Sequence, residues 1–444
     1  MRTLKLVLLI ALAMLLIFTK VQPEVSSYFV DNSNPNASDN NPGSENEPWV
    51  TVQKGIDVAQ AGDTVFIKAG TYFISSSGLK MKRSGNTNNK IVFKNYGTDS
   101  VVINMRSAPS KGWNWTGTYY NNIVIDGLNF LHGEWPTVIQ GDYNEIKNCY
   151  FGFSSGTTIN VWGGSHNLIS NNRIEASGWN GIGIESRPND GNKGRADSNI
   201  VEFNHCFNSS DHMGINIFPN TGQSQDLMYY NIIRFNTLNG NHSSGIYLRR
   251  QVNCIIYDNL IYDNKEWGIF LHWKNSSDGA HISNLKIYNN TVVGNGYDGI
   301  DNHSHKDLII KNNIFAYSGD YEIDMSSAVG TTGHNIDYNQ YYTTNINETI
   351  ITWGSGNLKY TLAEEQMNLG YDNHSIFGDP MFINMNQGNY SLLPSSSAIN
   401  SGFNLGNPYN QAIDGTIRPQ GNVYDIGAYE IISGLDVRKM IRQR

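Results

Sequence analysis

Gly245-Ile-Tyr-Leu-Arg-Arg-Gln-Val-Asn-Cys-Ile-Ile-Tyr-Asp-Asn-Leu-Ile-Tyr-Asp-Asn-Lys-Glu-Trp-Gly268-Ile-Phe-Leu271 decides the fold. It begins and ends on the same Gly-Ile-aromatic-Leu phrase, and an Asn lies between apolar residues midway, at Asn259. The phrase recurs as Gly181-Ile-Gly-Ile, Gly214-Ile-Asn-Ile and Gly299-Ile-Asp-Asn, with Glu322-Ile-Asp-Met continuing the column. From Gly181 through Glu322 the gaps are 33, 31, 23, 31 and 23. A second column runs in phase, an apolar triplet followed by Asn at Asn148, Asn172, Asn204, Asn236, Asn259, Asn290 and Asn313, with steps of 24, 32, 32, 23, 31 and 23. Two registers with matching steps define one structural unit of about 23 residues, some copies carrying an inserted loop.

Each unit is made of short strands with period-2 alternation, so one face turns inward and the other outward. One such unit cannot bury its apolar face alone, whereas a stack shares a core and pairs each backbone with its neighbours above and below. The sequence therefore predicts an all-β, right-handed parallel β-helix. The recurrent Asn marks a tight turn where a left-handed backbone is tolerated and side-chain amides bond from coil to coil. Val52, Ile56 and Ala59 are spaced like one face of a helix, an N-terminal cap ahead of a first strand at Val65-Phe-Ile-Lys. After Asn335 the repeat fades. The expected layout is a signal peptide or N-terminal anchor at 1–25, a capped β-helix at 26–334, an irregular C-terminal extension or cap at 335–432, and a tail at 433–444.

Composition narrows the work. Lys and Arg number 31 against 39 Asp and Glu, a net charge of −8, which argues against a nucleic-acid partner. Arg2 and Lys5 precede an apolar run from Leu6 to Phe18 that is too short to span a bilayer, so the expectation is a secreted or cell-surface monomer with no other membrane contact. Three cysteines, Cys149, Cys206 and Cys254, lie in apolar segments and read as buried free thiols.

The stretches Tyr28-Phe-Val-Asp, Pro48-Trp-Val-Thr-Val-Gln-Lys, Ala61-Gly-Asp-Thr-Val and Gly70-Thr-Tyr resemble the N-terminal cap of secreted right-handed β-helix proteins of the pectate lyase-like superfamily. Asp425-Ile-Gly-Ala-Tyr-Glu resembles the C-terminal segment of choice-of-anchor β-helix proteins. The resemblance covers nearly all of the chain and implies the fold. Its members include lyases, glycosidases, epimerases and proteins with no known activity.

Alternation along the Gly-Ile column assigns the outward face. If Ile182 and Ile184 point in, Glu185 points out, followed on later coils by Tyr247 and Arg249, Phe270 and His272, Asp301 and His303, and Asp324. Arg187, Trp273 and Lys274 lie just beyond the strand ends, as do Arg250 and His305. Aromatic faces beside charged groups suit a sugar polymer. Eliminative cleavage of a uronate needs a group to neutralise the carboxylate, a base for the adjacent proton and an acid for the leaving oxygen. Arg249, Lys274 and His272 are the candidate catalytic residues; Glu185, Arg187, Tyr247, Phe270, Trp273 and His303 are the candidate substrate contacts. Gly245-Ile-Tyr-Leu-Arg-Arg resembles the strand that carries a catalytic Arg in β-helix lyases of the chondroitinase and alginate lyase group, which implies that role for Arg249. The preceding coil, Gly214-Ile-Asn-Ile-Phe-Pro, has neither the Lys nor the acid pair of that group. Asn295-Gly-Tyr-Asp-Gly-Ile-Asp resembles the calcium-binding coil of the large β-helix pectate lyases, which implies metal ligation by Asp298 and Asp301, with Asp324 as a further donor on the next coil. The leading expectation is a calcium-assisted extracellular lyase acting on an anionic, uronate-containing polysaccharide. A glycoside hydrolase with Glu185, Asp301 or Asp324 as its carboxylates, and a non-catalytic carbohydrate-binding surface protein, are the alternatives.

Overall fold

The computed structural model describes residues 26–107, 111–115, 118–187, 194–220, 227–272, 283–303, 305–326 and 333–432. The expected signal segment, the tail, Trp273 and Lys274 lie outside these residues. Strands stack into three sheets of 12, each running in chain order and at most steps skipping two strands, as a parallel β-helix of three sheets requires. The Gly-Ile column holds throughout the third sheet, where Ile182 pairs with Ile215, Ile215 with Ile246, Ile246 with Ile269, Ile269 with Ile300 and Ile300 with Ile323. All six isoleucines are fully buried in one continuous core.

The polar interior is equally ordered. Asn172, Asn204, Asn236, Asn259, Asn290, Asn313 and Asn339 form a buried ladder in the turn between the first and second sheets. At each step one carboxamide oxygen accepts both the backbone N–H and the side-chain Nδ2 of the Asn one coil before; for Asn236 on Asn259 both distances are 3.0 Å. Asn148 does not belong to this ladder. Glu145 pairs with Leu168 and Lys147 with Ser170, which aligns Asn148 with Asn171 and Cys149 with Asn172. Asn148 and Asn171 take the left-handed conformation, φ 55° and 54°. Two adjacent residues thus share the roles expected of one Asn: the first makes the turn and links coils at its outer edge, as Asn171 Nδ2 donates to Asn148 Oδ1 at 2.6 Å, while the second builds the interior ladder. The first step of the column is accordingly 23 residues, from Glu145 to Leu168.

Most of the extra length leaves from one corner. From Asp126 onward, connections from the first to the second sheet are two residues long, as between Lys147 and Tyr150 or Ser170 and Arg173, whereas Asn95 to Val101 takes five. From the third sheet to the next coil they vary: Trp162 to Leu168 and Arg249 to Ile255 are short, while Ser186 to Ile200, Pro219 to Ile232 and His272 to Lys286 carry the insertions.

At the N-terminal end, the helix Val52–Val58 begins at an N-cap Thr51 whose side chain accepts from Lys54 N–H, and Val52, Ile56 and Ala59 are buried over the open core. A strand at Ser27–Val30, in addition to the expected one, pairs with Thr64–Ile67. At the other end, Asn335–Asp337, Gln340–Tyr342, Ile351–Trp353 and Ile376–Phe377 extend the three sheets by a further coil. Antiparallel Leu358–Tyr360 then closes the third sheet against Ile351–Trp353. Beyond it the chain turns back along the flank of the second sheet, where Phe382, Tyr390, Leu392, Ile426 and Ala428 pack on Leu260, Val293 and Ile314. Arg418, fully buried, fastens this segment by ion-pairing with buried Asp258 at 3.0 Å and donating to Gly427 O at 2.9 Å. The three cysteines are free and buried, and burial pushes the thiols of Cys149 and Cys254 up to about 12. Cys206 lies in a strand, whereas Cys149 and Cys254 occupy turns. Among the described residues no helix is long and apolar enough to cross a membrane.

Candidate functional site on the third sheet

Because side chains alternate, the outer face of the third sheet carries two columns fixed by strand register. One reads Asn160, Gly183, Asn216, Tyr247, Phe270, Asp301, Asp324; the other reads Trp162, Glu185, Phe218 and, through the flanking pairs, Arg249 with His272. Coils about 4.8 Å apart put Glu185 and Arg249 about 10 Å from one another.

Arg249 is held in place. Its guanidinium lies 5.2 Å from the Phe218 ring centre and donates through Nη2 to Pro219 O. Burial, with a smaller contribution from neighbouring Arg250, lowers its pKa. Tyr247 stands beside it, and its hydroxyl meets His272 Nδ1 at 2.8 Å; burial raises the phenol while Arg249 opposes that rise. Phe270 packs edge-on to Tyr247 and stacks on Trp267 at 4.2 Å. Arg249, Tyr247, His272 and Phe270 therefore form one patch, as expected from the strand register. His303 sits 5.7 Å from the His272 ring and 3.0 Å from Asp301 Oδ1. Desolvation pulls His303 down, but Asp301 and Asp324 outweigh it and raise its pKa. His305 does not join this face. It is fully buried, and desolvation aided by nearby His334 lowers it to about 3.

The three expected metal ligands gather at the C-terminal end of the face. Burial, then Asp324 and Asp301, pushes Asp298 up to about 8. Each carboxylate already has protein donors. Tyr321 N–H serves Asp298 at 3.0 Å, His303 serves Asp301, and Ser326 N–H and the Thr352 hydroxyl serve Asp324. Among the described residues no group of three or more His, Cys, Asp or Glu side chains is arranged to hold a metal ion. Calcium asks for six to eight oxygens, so backbone carbonyls or water would have to join these carboxylates to hold the ion.

Glu185 and Arg187 belong to a second region, a cleft of about 250 Å³. Arg187 Nε donates to Glu185 Oε2 at 2.7 Å, Asn220 Nδ2 donates to the same oxygen at 3.1 Å, and the guanidinium lies 3.7 Å from the Trp162 ring centre. Trp135, Trp162 and Trp179 line this cleft with Phe218, which it shares with the Arg249 patch. These tryptophans are absent from the sequence-derived face. Trp135 and Trp162 stand on strands without the Gly-Ile phrase, and Trp179 stands in a turn. The readable signal was three Trp, at 135, 162 and 179, within 45 residues of one another.

A stacked parallel solenoid defines the class: this chain is a right-handed parallel β-helix protein, similar to the pectate lyase-like proteins of that fold. Residues 28–154 match the family model described as Pel9A-like, right handed beta helix region, and 114–292 and 226–315 match the right handed beta helix region model. The chain is 23% identical over 465 residues to the uncharacterized protein YwoF of Bacillus subtilis, covering 86% of this chain and 94% of that protein. It is 31% identical over 75 residues to pectate lyase PEL9 of Emericella nidulans, 17% of this chain and 18% of that one. Among solved structures, pectate lyase Pel9A superposes with a TM-score of 0.58 at 16% identity, over 92% of this chain and 97% of that one. A rhamnogalacturonan lyase superposes with a TM-score of 0.54 at 16% identity, over 81% and 91%.

Proposed function

We propose that this protein is an extracellular polysaccharide-active enzyme that cleaves a uronate-containing glycan by β-elimination on the outer face of the third sheet. The observation that carries the reading is the patch in which Arg249, Tyr247 and His272 touch in series beside an aromatic groove. Arg249, pinned by Pro219 O and Phe218, presents a fixed cation to the uronate carboxylate. His272 accepts the proton adjacent to that carboxylate, with Tyr247 as relay: the phenol gives its proton to Nδ1 and takes the carbon-bound one. The electron pair of the broken C–H bond forms the new double bond, the glycosidic C–O bond breaks, and the leaving oxygen recovers a proton from the relay. Lys274, two residues past His272, is a further candidate base. No step runs through calcium. Neighbours named for pectate and rhamnogalacturonan cleavage favour a polysaccharide substrate.

The test is absorbance at about 235 nm, where the unsaturated product absorbs, over a panel of uronate polymers with added calcium and then with chelator. Wild-type protein is expected to generate the chromophore on one polymer, and Arg249→Met to abolish it. New reducing ends without the chromophore would replace this reading with hydrolysis by the carboxylates of the face. Neither product on any polymer would leave a binding protein. A chromophore that chelator removes would show that an ion takes part after all.

A further inference from the structure

We propose that the Trp-lined cleft is a subsite for an uncharged pyranose, so that the substrate is a heteroglycan with a neutral sugar next to the uronate that Arg249 receives. The second half of this statement rests on the function proposed above; the first stands on the cleft itself. At about 250 Å³ the cleft is just below the roughly 300 Å³ at which small-molecule pockets begin, which suits one sugar ring. Asn160 and Asn216, either side of Gly183 in the outward column, both line the cleft. Trp179 is 44% exposed, and Trp135 stands 6.5 Å from it at 60°, an exposed aromatic wall for the apolar face of a pyranose.

Charge separates this cleft from the neighbouring patch. Its carboxylate and guanidinium, Glu185 and Arg187, neutralise each other at 2.7 Å, and Arg187 is further occupied over Trp162. An anionic sugar would meet no free cation from that pair. Asn216 lines the cleft at 7% exposure with a buried Oδ1 that has no hydrogen-bond partner, an acceptor that a turn of the carboxamide would bring to a sugar hydroxyl. Phe218 borders both regions, and the two coils from Glu185 to Arg249 span about 10 Å, roughly two sugar residues of a bound chain.

Titration calorimetry tests this with two probe sets, neutral oligosaccharides (xylohexaose, mannohexaose, cellohexaose, galactotetraose) and oligouronates. At least one neutral probe is expected to bind the wild type. Trp179→Ala, at an exposed position that leaves the core intact, should weaken it about tenfold, and Arg249→Met should leave it unchanged while weakening the oligouronates. No heat from any neutral probe, or equal binding by wild type and Trp179→Ala, overturns the proposal. Neutral binding that depends on Trp179, with no elimination on any polymer, retains the cleft and rejects the lyase. Elimination of a pure polyuronate with no neutral binding does the reverse.

Discussion

Replacing Asn259 with Ala removes one rung from the middle of the buried ladder, and the structure sets the size of the effect. The Asn259 Nδ2 donates to Ile233 O, Tyr257 O and Asn290 Oδ1, each at 3.0 Å, and its Oδ1 accepts Asn236 N–H and Nδ2, each at 3.0 Å. Alanine leaves the Asn236 N–H buried with no acceptor and weakens the satisfaction of two carbonyls and two carboxamides. At about 1–3 kcal/mol for each buried group left unsatisfied, and with some relaxation toward trapped water, the expected loss is about 3–5 kcal/mol. Asn148 is the control. It sits at φ 55° on the surface, donates to Asp126 at 2.7 Å and accepts from Asn171 Nδ2 at 2.6 Å; both bonds are solvent-exposed, so Asn148→Ala should cost only about 1–2 kcal/mol, chiefly because Ala tolerates the left-handed region less well than Asn. Urea unfolding followed by far-UV circular dichroism gives both values from the midpoints. Equal losses at the two positions would refute the division of roles between turn and ladder.

Arg418→Met should destabilise by about 3–5 kcal/mol, because Asp258 would stay buried without its partner; adding Asp258→Asn should restore most of the thermal midpoint, and failure to do so would remove the ion pair as the cause. Buried His305 and His334 are lowered to about 3 and about 4, below their unfolded value of about 6.5. Their contribution is therefore complete above about pH 6.5 and is lost as pH falls toward 4 and 3, since the unfolded chain then binds the extra protons. His305→Leu should flatten the acid side of the stability profile between about pH 6.5 and pH 4; an unchanged slope in urea midpoints would contradict this. A Cβ on Gly296 would lie 2.0 Å from Lys265 O, so Gly296→Ala should lower stability by about 1–3 kcal/mol, and a neutral result in the same unfolding assay would show that the coil spacing there gives way. On a polymer that the wild type cleaves, Tyr247→Phe should reduce kcat by about 10²–10⁴-fold with KM little changed; a KM effect alone would make Tyr247 a binding residue only.

Periodicity made the coil readable, because inward Ile and ladder Asn recur whatever loop intervenes. It misplaced Asn148 because turn and ladder positions are adjacent and both accept Asn, as at Asn171-Asn172, Asn289-Asn290 and Asn312-Asn313. Only pairing partners distinguish one column from the next. The Arg249, His272 and Asp301 face followed from alternation alone, since a strand permits two directions. His305 departed from that extrapolation because it lies past the end of Ile300–Asn302, where alternation no longer applies and the chain folds over the core. The Trp cleft was hidden because two of its walls stand on strands outside the Gly-Ile phrase and Trp179 comes from a turn. The first strand, Ser27–Val30, was obscured by the long excursion before its partner at Thr64.

The corner from which most of the extra length leaves has an evolutionary consequence. Residues added between the third sheet and the next coil change neither the Ile column nor the Asn ladder, and doubling such a loop costs only about 0.6 kcal/mol of closure entropy. Those loops leave from the strand ends that carry Ser186, Pro219 and His272, at the rim of the groove. A lineage can thus lengthen or trim the groove's border to suit a new polymer one coil at a time, while the stacking that holds the protein together is inherited unaltered.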